Sequence, residues 1–191
     1  MPLHLFKSVV FTVAILVPPR VIYRLWKYRR PGTINRFEFI NELPGILFCI
    51  YIAIVIALTI LPAPFSGFSN TSGKINPLPF VNTYQQLMDS ISHPDPARKM
   101  FSFQNIFGNL LLFVPLGLFL PFTFPGTRSL KKIALIAFAG SVCIETIQLL
   151  LRYIHTYRTV DIDDVILNTA GALLGYGIYV SWMRRKVIKP R

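Results

Sequence analysis

Four stretches of the chain are apolar for about the length that a bilayer demands: residues 43–61, 105–124, 133–153 and 164–183. A helix rises about 1.5 Å per residue and the hydrocarbon layer is about 30 Å thick, so roughly 20 consecutive apolar residues are the signature of a spanning helix. Inside lipid every backbone N–H and C=O must be satisfied within the segment, which leaves helices as the structure for such runs. A fifth and weaker run, residues 3–26, has a short apolar centre and then Pro18-Pro19. That pair removes two helical N–H donors and kinks or breaks the segment. No small-residue cleavage pattern follows it, so it is expected to be retained.

Composition agrees with the runs. Only 15% of the residues are charged against 53% hydrophobic, and a water-soluble domain carries about 25% charge. So little charge cannot cover a surface facing water. The formal net charge of +12 would suit nucleic acid, but the basic residues are clustered between the apolar runs, where they act as topology signals. Cys49 and Cys143 each sit inside an apolar run and read as small hydrophobes, with no disulfide or metal pattern.

The expected fold is therefore all-α, a polytopic transmembrane bundle of about five spans. Its parts are an N-terminal helix with a basic loop (1–42), a second helix (43–61), a loop (62–104), a three-helix core (105–183) and a basic tail (184–191). Across alternate loops, 14 of the 20 Lys and Arg fall on one side. The positive-inside bias makes that side cytoplasmic, with the N-terminus out and the C-terminus in. Tyr23, Trp26, Tyr28, Tyr179 and Trp182 accompany the basic clusters and suit contact with anionic inner-leaflet lipids. In the long outer loop, residues 81–92 read as a short surface helix, ended by Pro94 and Pro96.

Polar side chains inside spans are costly and need partners or water. Asn105 and Asn109 are one helical turn apart. Ser141, Glu145, Gln148 and Arg152 share a face of the next run, the last three within about 60° of arc. Asp161, Asp164, Asn168, Gly171 and Gly175 share a face of the last run within about 80°. Asp163 falls off that face and is expected to meet water or a head group. With the deduced orientation all three stripes lie in the outer leaflet, with Arg158 above them. They predict an outward polar pocket lined by Asn105, Asn109, Glu145, Gln148, Arg152, Arg158, Asp161, Asp164 and Asn168. Glycines 171 and 175 have the spacing of close helix packing, and Gly108, Pro115 and Gly117 serve either to loosen or kink the helix that carries them or to pack it closely.

The ordered set Asn105-Ile-Phe-Gly-Asn109, Leu112-Phe-Val-Pro-Leu-Gly117, Glu145-x-x-Gln148 and Arg158-x-x-Asp161-x-Asp163-Asp164-x-x-x-Asn168-x-x-Gly171 resembles the VanZ-like family of bacterial membrane proteins. Asn76-Pro-Leu-Pro-Phe80 looks like the segment that precedes the family's loop helix. The resemblance covers residues 75–179. It implies a place in the bacterial cytoplasmic membrane and a role at its outer face, because the family takes its name from a protein linked to low-level resistance to teicoplanin, a lipoglycopeptide.

Two functions from different classes follow. The pocket could bind an amphiphile such as a lipoglycopeptide, a lipid head group or a lipid-linked wall precursor. Its arginines would meet phosphate or carboxylate, and its carboxylates and amides would meet amines and hydroxyls. Alternatively Glu145, Asp161 and Asp164 could serve as general acid and base in a membrane enzyme, or hold a divalent cation. Neither nucleophile, zinc spacing nor phosphate loop is present, His155 sits in a short loop, and no cofactor is indicated. Confinement to one leaflet and the lack of paired repeats speak against a transporter.

Overall fold

The structure is a computed structural model that describes Val13 and residues 36–60, 75–151 and 160–188. Those residues are mostly helical. In chain order they form α1 (Arg36–Thr59), β1 (Ile75–Asn76), α2 (Val81–Ser92), α3 (Pro96–Leu112), α4 (Val114–Thr123), a 3-10 turn (Pro125–Thr127), α5 (Leu130–Leu151), β2 (Val160–Asp161) and α6 (Ile162–Ile188). Apart from Val13, the run 3–26 lies outside the described residues, as do Arg152, His155 and Arg158.

Among the described residues, three helical segments are long and apolar enough to cross a membrane: Pro96–Thr123, Leu130–Leu151 and Ile162–Met183. The apolar part of α1, Leu43–Thr59, is shorter. Large side chains such as Leu135, Phe138, Leu150, Leu174 and Ile178 are exposed around the bundle. In water that coat would be a liability, whereas in lipid it is the expected surface.

The first long segment departs from the sequence expectation at its start and carries a break where Pro115 predicts a kink. It begins at Pro96, well ahead of residue 105, because Asp95 caps it: the Asp95 side chain accepts from Ala97 N at 3.0 Å, and Pro96 occupies the first turn. Both are strong helix-start features. It is also interrupted at Phe113, between α3 and α4. Pro115 has no N–H for the carbonyl one turn back and its ring crowds that carbonyl. Tyr51 of α1 ties the break down, its hydroxyl donating to the Leu112 carbonyl at 3.0 Å.

α6 packs against both halves of this broken helix, and glycine makes the approach possible. A Cβ on Gly171 would overlap the Leu110 carbonyl, one on Gly175 the Val114 carbonyl, and one on Gly117 the Ala172 carbonyl. Gly108, by contrast, faces open space. The core of Tyr51, Val55, Phe113, Leu116, Leu120, Ile133, Ala137 and Ala172 joins α1, the broken helix, α5 and α6. At one end, Phe122, Tyr179 and Trp182 form an edge-on aromatic cluster, next to a turn where Arg128 Nε donates to the Pro121 carbonyl and Lys132 Nζ to the Gly126 carbonyl. Aromatic rings and cations at the last carbonyls of a helix suit a membrane interface.

At the opposite end, β1 and β2 pair in parallel, Ile75 with Val160 and Asn76 with Asp161. This short ladder carries the chain from β1 into α2, which folds back antiparallel beside α3. The α2 helix occupies the 81–92 stretch expected from sequence.

Candidate functional site

The end of the bundle that carries the β ladder also collects the polar side chains. α6 begins there, and its first turn holds Asp163 and Asp164 just after Asp161. Free backbone N–H groups at a helix start favour carboxylates. Asp161 acts as the cap, its Oδ1 accepting from Asp163 N at 3.0 Å. Its other oxygen accepts from Asn82 Nδ2 of α2 and from Asn76 Nδ2 of β1, the latter at 3.5 Å. The Asp161 N–H donates to Glu145 Oε2 at 3.1 Å, which ties α5 to the same point. Asp161 and Glu145 are both buried.

Asp163 corrects the sequence reading. Instead of meeting water or a head group it is buried, 2% exposed. Its two oxygens accept the backbone N–H groups of Phe80, at 2.5 Å, and Thr83, at 2.8 Å. α2 has no side-chain cap of its own: its cap residue is Phe80, held in the left-handed region at φ 67°. A residue some eighty positions away therefore performs the capping, and α6 orients the loop helix through it.

The other expected site residues separate into pairs. Asn109 Nδ2 donates to Asp164 Oδ1, joining α3 to α6. Asn105 Nδ2 donates to Gln86 Oε1 at 2.9 Å, joining α3 to α2. Asn168 Nδ2 donates to Ser141 Oγ at 2.8 Å, joining α6 to α5. Gln148 turns toward α1, donating to the Thr59 carbonyl at 2.9 Å. Asn105, Asn109, Glu145, Asp161, Asp164 and Asn168 thus gather at one end, and Gln148 faces the neighbouring helix.

Two groups in this assembly retain unused bonding capacity among the described residues. Asn168 is 2% exposed, yet its Oδ1 has no hydrogen-bond partner, an expensive arrangement for a buried acceptor. Asp164 is half-buried and takes one hydrogen bond, on Oδ1, which leaves Oδ2 free. No group of three His, Cys, Asp or Glu side chains converges as a metal set among the described residues, so the cation reading gains no support there.

A cavity of about 140 Å³ opens beside this cluster, lined by Asn76, Pro77, Leu78, Val81, Asn82 and Gln85. A water takes about 30 Å³ of liquid and drug-sized sites run to about 300 Å³ and above, so the cavity suits one functional group, not a whole lipoglycopeptide. Asn76, Asn82, Gln86 and Asp163 were not among the expected site residues. The signal for two of them was present, since Asn82 and Gln86 are one turn apart on the polar face of α2.

Residues 48–184 match the family model described as VanZ/LLP1. No curated protein and no solved structure matches the chain.

Proposed function

The chain belongs to the VanZ/LLP1 family, and we propose that it binds an amphiphilic cell-envelope molecule by its polar head at the carboxylate end of the bundle. The observation that carries this is Asp164: a half-buried carboxylate at the end of an apolar bundle, with Asn109 on one oxygen and the other free among the described residues. A free carboxylate oxygen at the end of an apolar bundle is a strong acceptor for a ligand's amine or hydroxyl. The buried, unpartnered Asn168 Oδ1 supports the same ligand chemistry.

The family match suggests the bacterial cytoplasmic membrane, and with the five spans expected from hydropathy the excess of Lys and Arg on the opposite side supports the N-terminus out and this end facing outward. Candidate ligands are lipid-linked wall precursors and lipoglycopeptides engaged by one small group. Sequestration of either would link the site to teicoplanin-type resistance.

Binding of teicoplanin and of undecaprenyl-linked precursors to the purified full-length protein tests the proposal, with Glu145→Gln and Asp164→Asn alongside. A hydrogen bond to a charged group is worth about 1.5–3 kcal/mol, so Asp164→Asn should weaken binding by roughly 10- to 100-fold. Unchanged affinity in both variants would remove this end of the bundle as the ligand site. Consumption of a lipid substrate, lost in both variants, would replace binding with catalysis by Glu145, Asp161 and Asp164.

A further inference from the structure

The loop helix α2 is amphipathic in the opposite sense to a helix on the surface of a soluble protein. At about 100° per residue, Val81, Tyr84, Leu87, Met88 and Ile91 fall in one arc of about 120°. All five are exposed, with Tyr84 at 63% and Ile91 at 64%. The polar residues Asn82, Gln86 and Asp89 centre almost diametrically opposite, and these are the side chains that face the protein. Asn82 holds Asp161, Gln86 accepts from Asn105, and Asp89 pairs with Arg98 at 3.3 Å. A helix packed on a soluble core turns its apolar stripe inward. This one turns it outward, and Leu78 and Phe80, 63% and 64% exposed, extend it around the entry to the helix.

Position explains the inversion. α3 runs beside α6 with Leu110 against Gly171, Gly117 against Ala172 and Asn109 bonded to Asp164, which puts Asn105 about level with the first turn of α6, where the membrane-length segment Ile162–Met183 begins. Gln86 of α2 is bonded to Asn105, and α3 itself belongs to a membrane-length segment from Pro96 onward. The exposed apolar arc of α2 is therefore continuous with the exposed Phe101, Phe103 and Phe107 of a membrane-length segment. The charges of this hairpin, Asp89, Asp95, Arg98 and Lys99, cluster at its other end.

We infer that α2 is embedded in the bilayer as a re-entrant lid, its polar face closing over the carboxylate cluster and its apolar face in contact with lipid acyl chains. The helix satisfies most of its own backbone, and Asp163 accepts from two N–H groups at its start, those of Phe80 and Thr83, which lowers the cost of insertion at the deep end. This inference does not depend on what the cluster binds.

The test uses the full-length protein in phosphatidylcholine/phosphatidylglycerol nanodiscs, with Cys49 and Cys143 replaced by Ala. Single cysteines at Tyr84, Met88 and Ile91 carry a nitroxide label, and collision rates are measured with oxygen, which partitions into lipid, and with a water-soluble nickel chelate. Labels at Tyr84 and Met88 should favour oxygen several-fold, as a label at Leu135 on α5 does. The Ile91 label should be intermediate, and a label at Pro94 should favour nickel. Nickel access at Tyr84 equal to that at Pro94 would overturn the inference in favour of water. Low access to both reagents would overturn it in favour of a second protein surface. Should the labelled variants misfold, Tyr84→Trp in a Trp26→Phe, Trp182→Phe background gives a second readout. Lipids brominated on the acyl chains should quench its fluorescence, and no quenching would overturn the inference.

Discussion

Replacing Asp163 by Ala should release α2 from the bundle. The side chain is buried and accepts two backbone N–H groups from the start of that helix, at 2.5 and 2.8 Å. Loss of a helix cap costs about 0.5–2 kcal/mol and a hydrogen bond to a charged group is worth about 1.5–3 kcal/mol. The two bonds share one acceptor and do not add in full, so a cost of about 2–4 kcal/mol is expected. Phe80 also loses the bond that holds its left-handed backbone. Because the cost falls on one docked element, it should appear as local opening. At about 1.4 kcal/mol per decade, amide exchange within residues 81–92 should accelerate roughly 30- to 1000-fold. Asp163→Asn keeps one acceptor and should show about half the cost on a logarithmic scale. Asp89→Ala is the internal control: it removes an ion pair whose Arg98 partner is 60% exposed, worth about 0–1 kcal/mol. Hydrogen exchange followed by mass spectrometry on the full chain reads all three. If Asp163→Ala leaves α2 exchange no faster than Asp89→Ala does, the capping role is refuted.

Other substitutions probe the rest of the assembly. Gly171→Ala and Gly175→Ala push a methyl into the Leu110 and Val114 carbonyls and should cost about 1–3 kcal/mol as overpacking. Gly108→Ala meets nothing and should be neutral or stabilising, so equal melting temperatures for the three variants in detergent would contradict the packing. Gln148→Leu removes the bond to the Thr59 carbonyl and should cost about 1 kcal/mol, the scale of one interhelical hydrogen bond in a membrane. Unchanged α1 exchange in that variant would show that the bond does not hold α1. Asn168→Leu gives up one bond to Ser141 but also removes a buried acceptor without a partner. Its thermal stability should stay within about 1 kcal/mol, and a larger loss would mean that Oδ1 is bonded after all.

Hydropathy made the long helices legible because their length and apolarity answer directly to the bilayer. The end of α2 was legible from Pro94 and Pro96, which stop a helix from continuing past residue 92. The start of α3 was not, since Arg98, Lys99 and Gln104 lower hydropathy without lowering helicity. The signal lay in Asp95 and Pro96, a cap and a first-turn proline. Helical periodicity placed Asp163 correctly off the stripe that holds Asp161 and Asp164, but periodicity only says that a residue points elsewhere. Here the other direction is occupied by α2, a segment far away in sequence. For the same reason the packing spacing of Gly171 and Gly175 was readable while the carbonyls they admit were not, and Gln148 shared a stripe with Glu145 yet bonds α1. Each of these outcomes depends on a long-range neighbour that spacing does not encode.

The acidic residues at the start of α6 differ in what the chain already asks of them. Asp161 accepts from three donors and links β1, α2 and its own helix. Asp163 spends both oxygens on α2. Glu145 accepts the Asp161 N–H and so shares in positioning that loop. Removing any of these three disturbs the lid before it disturbs a ligand, and lost activity in such variants reports folding as readily as binding. Asp164 holds one partner, Asn109, and an Asn at position 164 keeps an oxygen to accept from it while the charge is lost. A variant that keeps wild-type amide exchange in α2 and loses ligand separates the two effects. Asp164→Asn is the substitution with the geometry to do so, and a matching collapse of α2 protection in it would place Asp164 with the structural three.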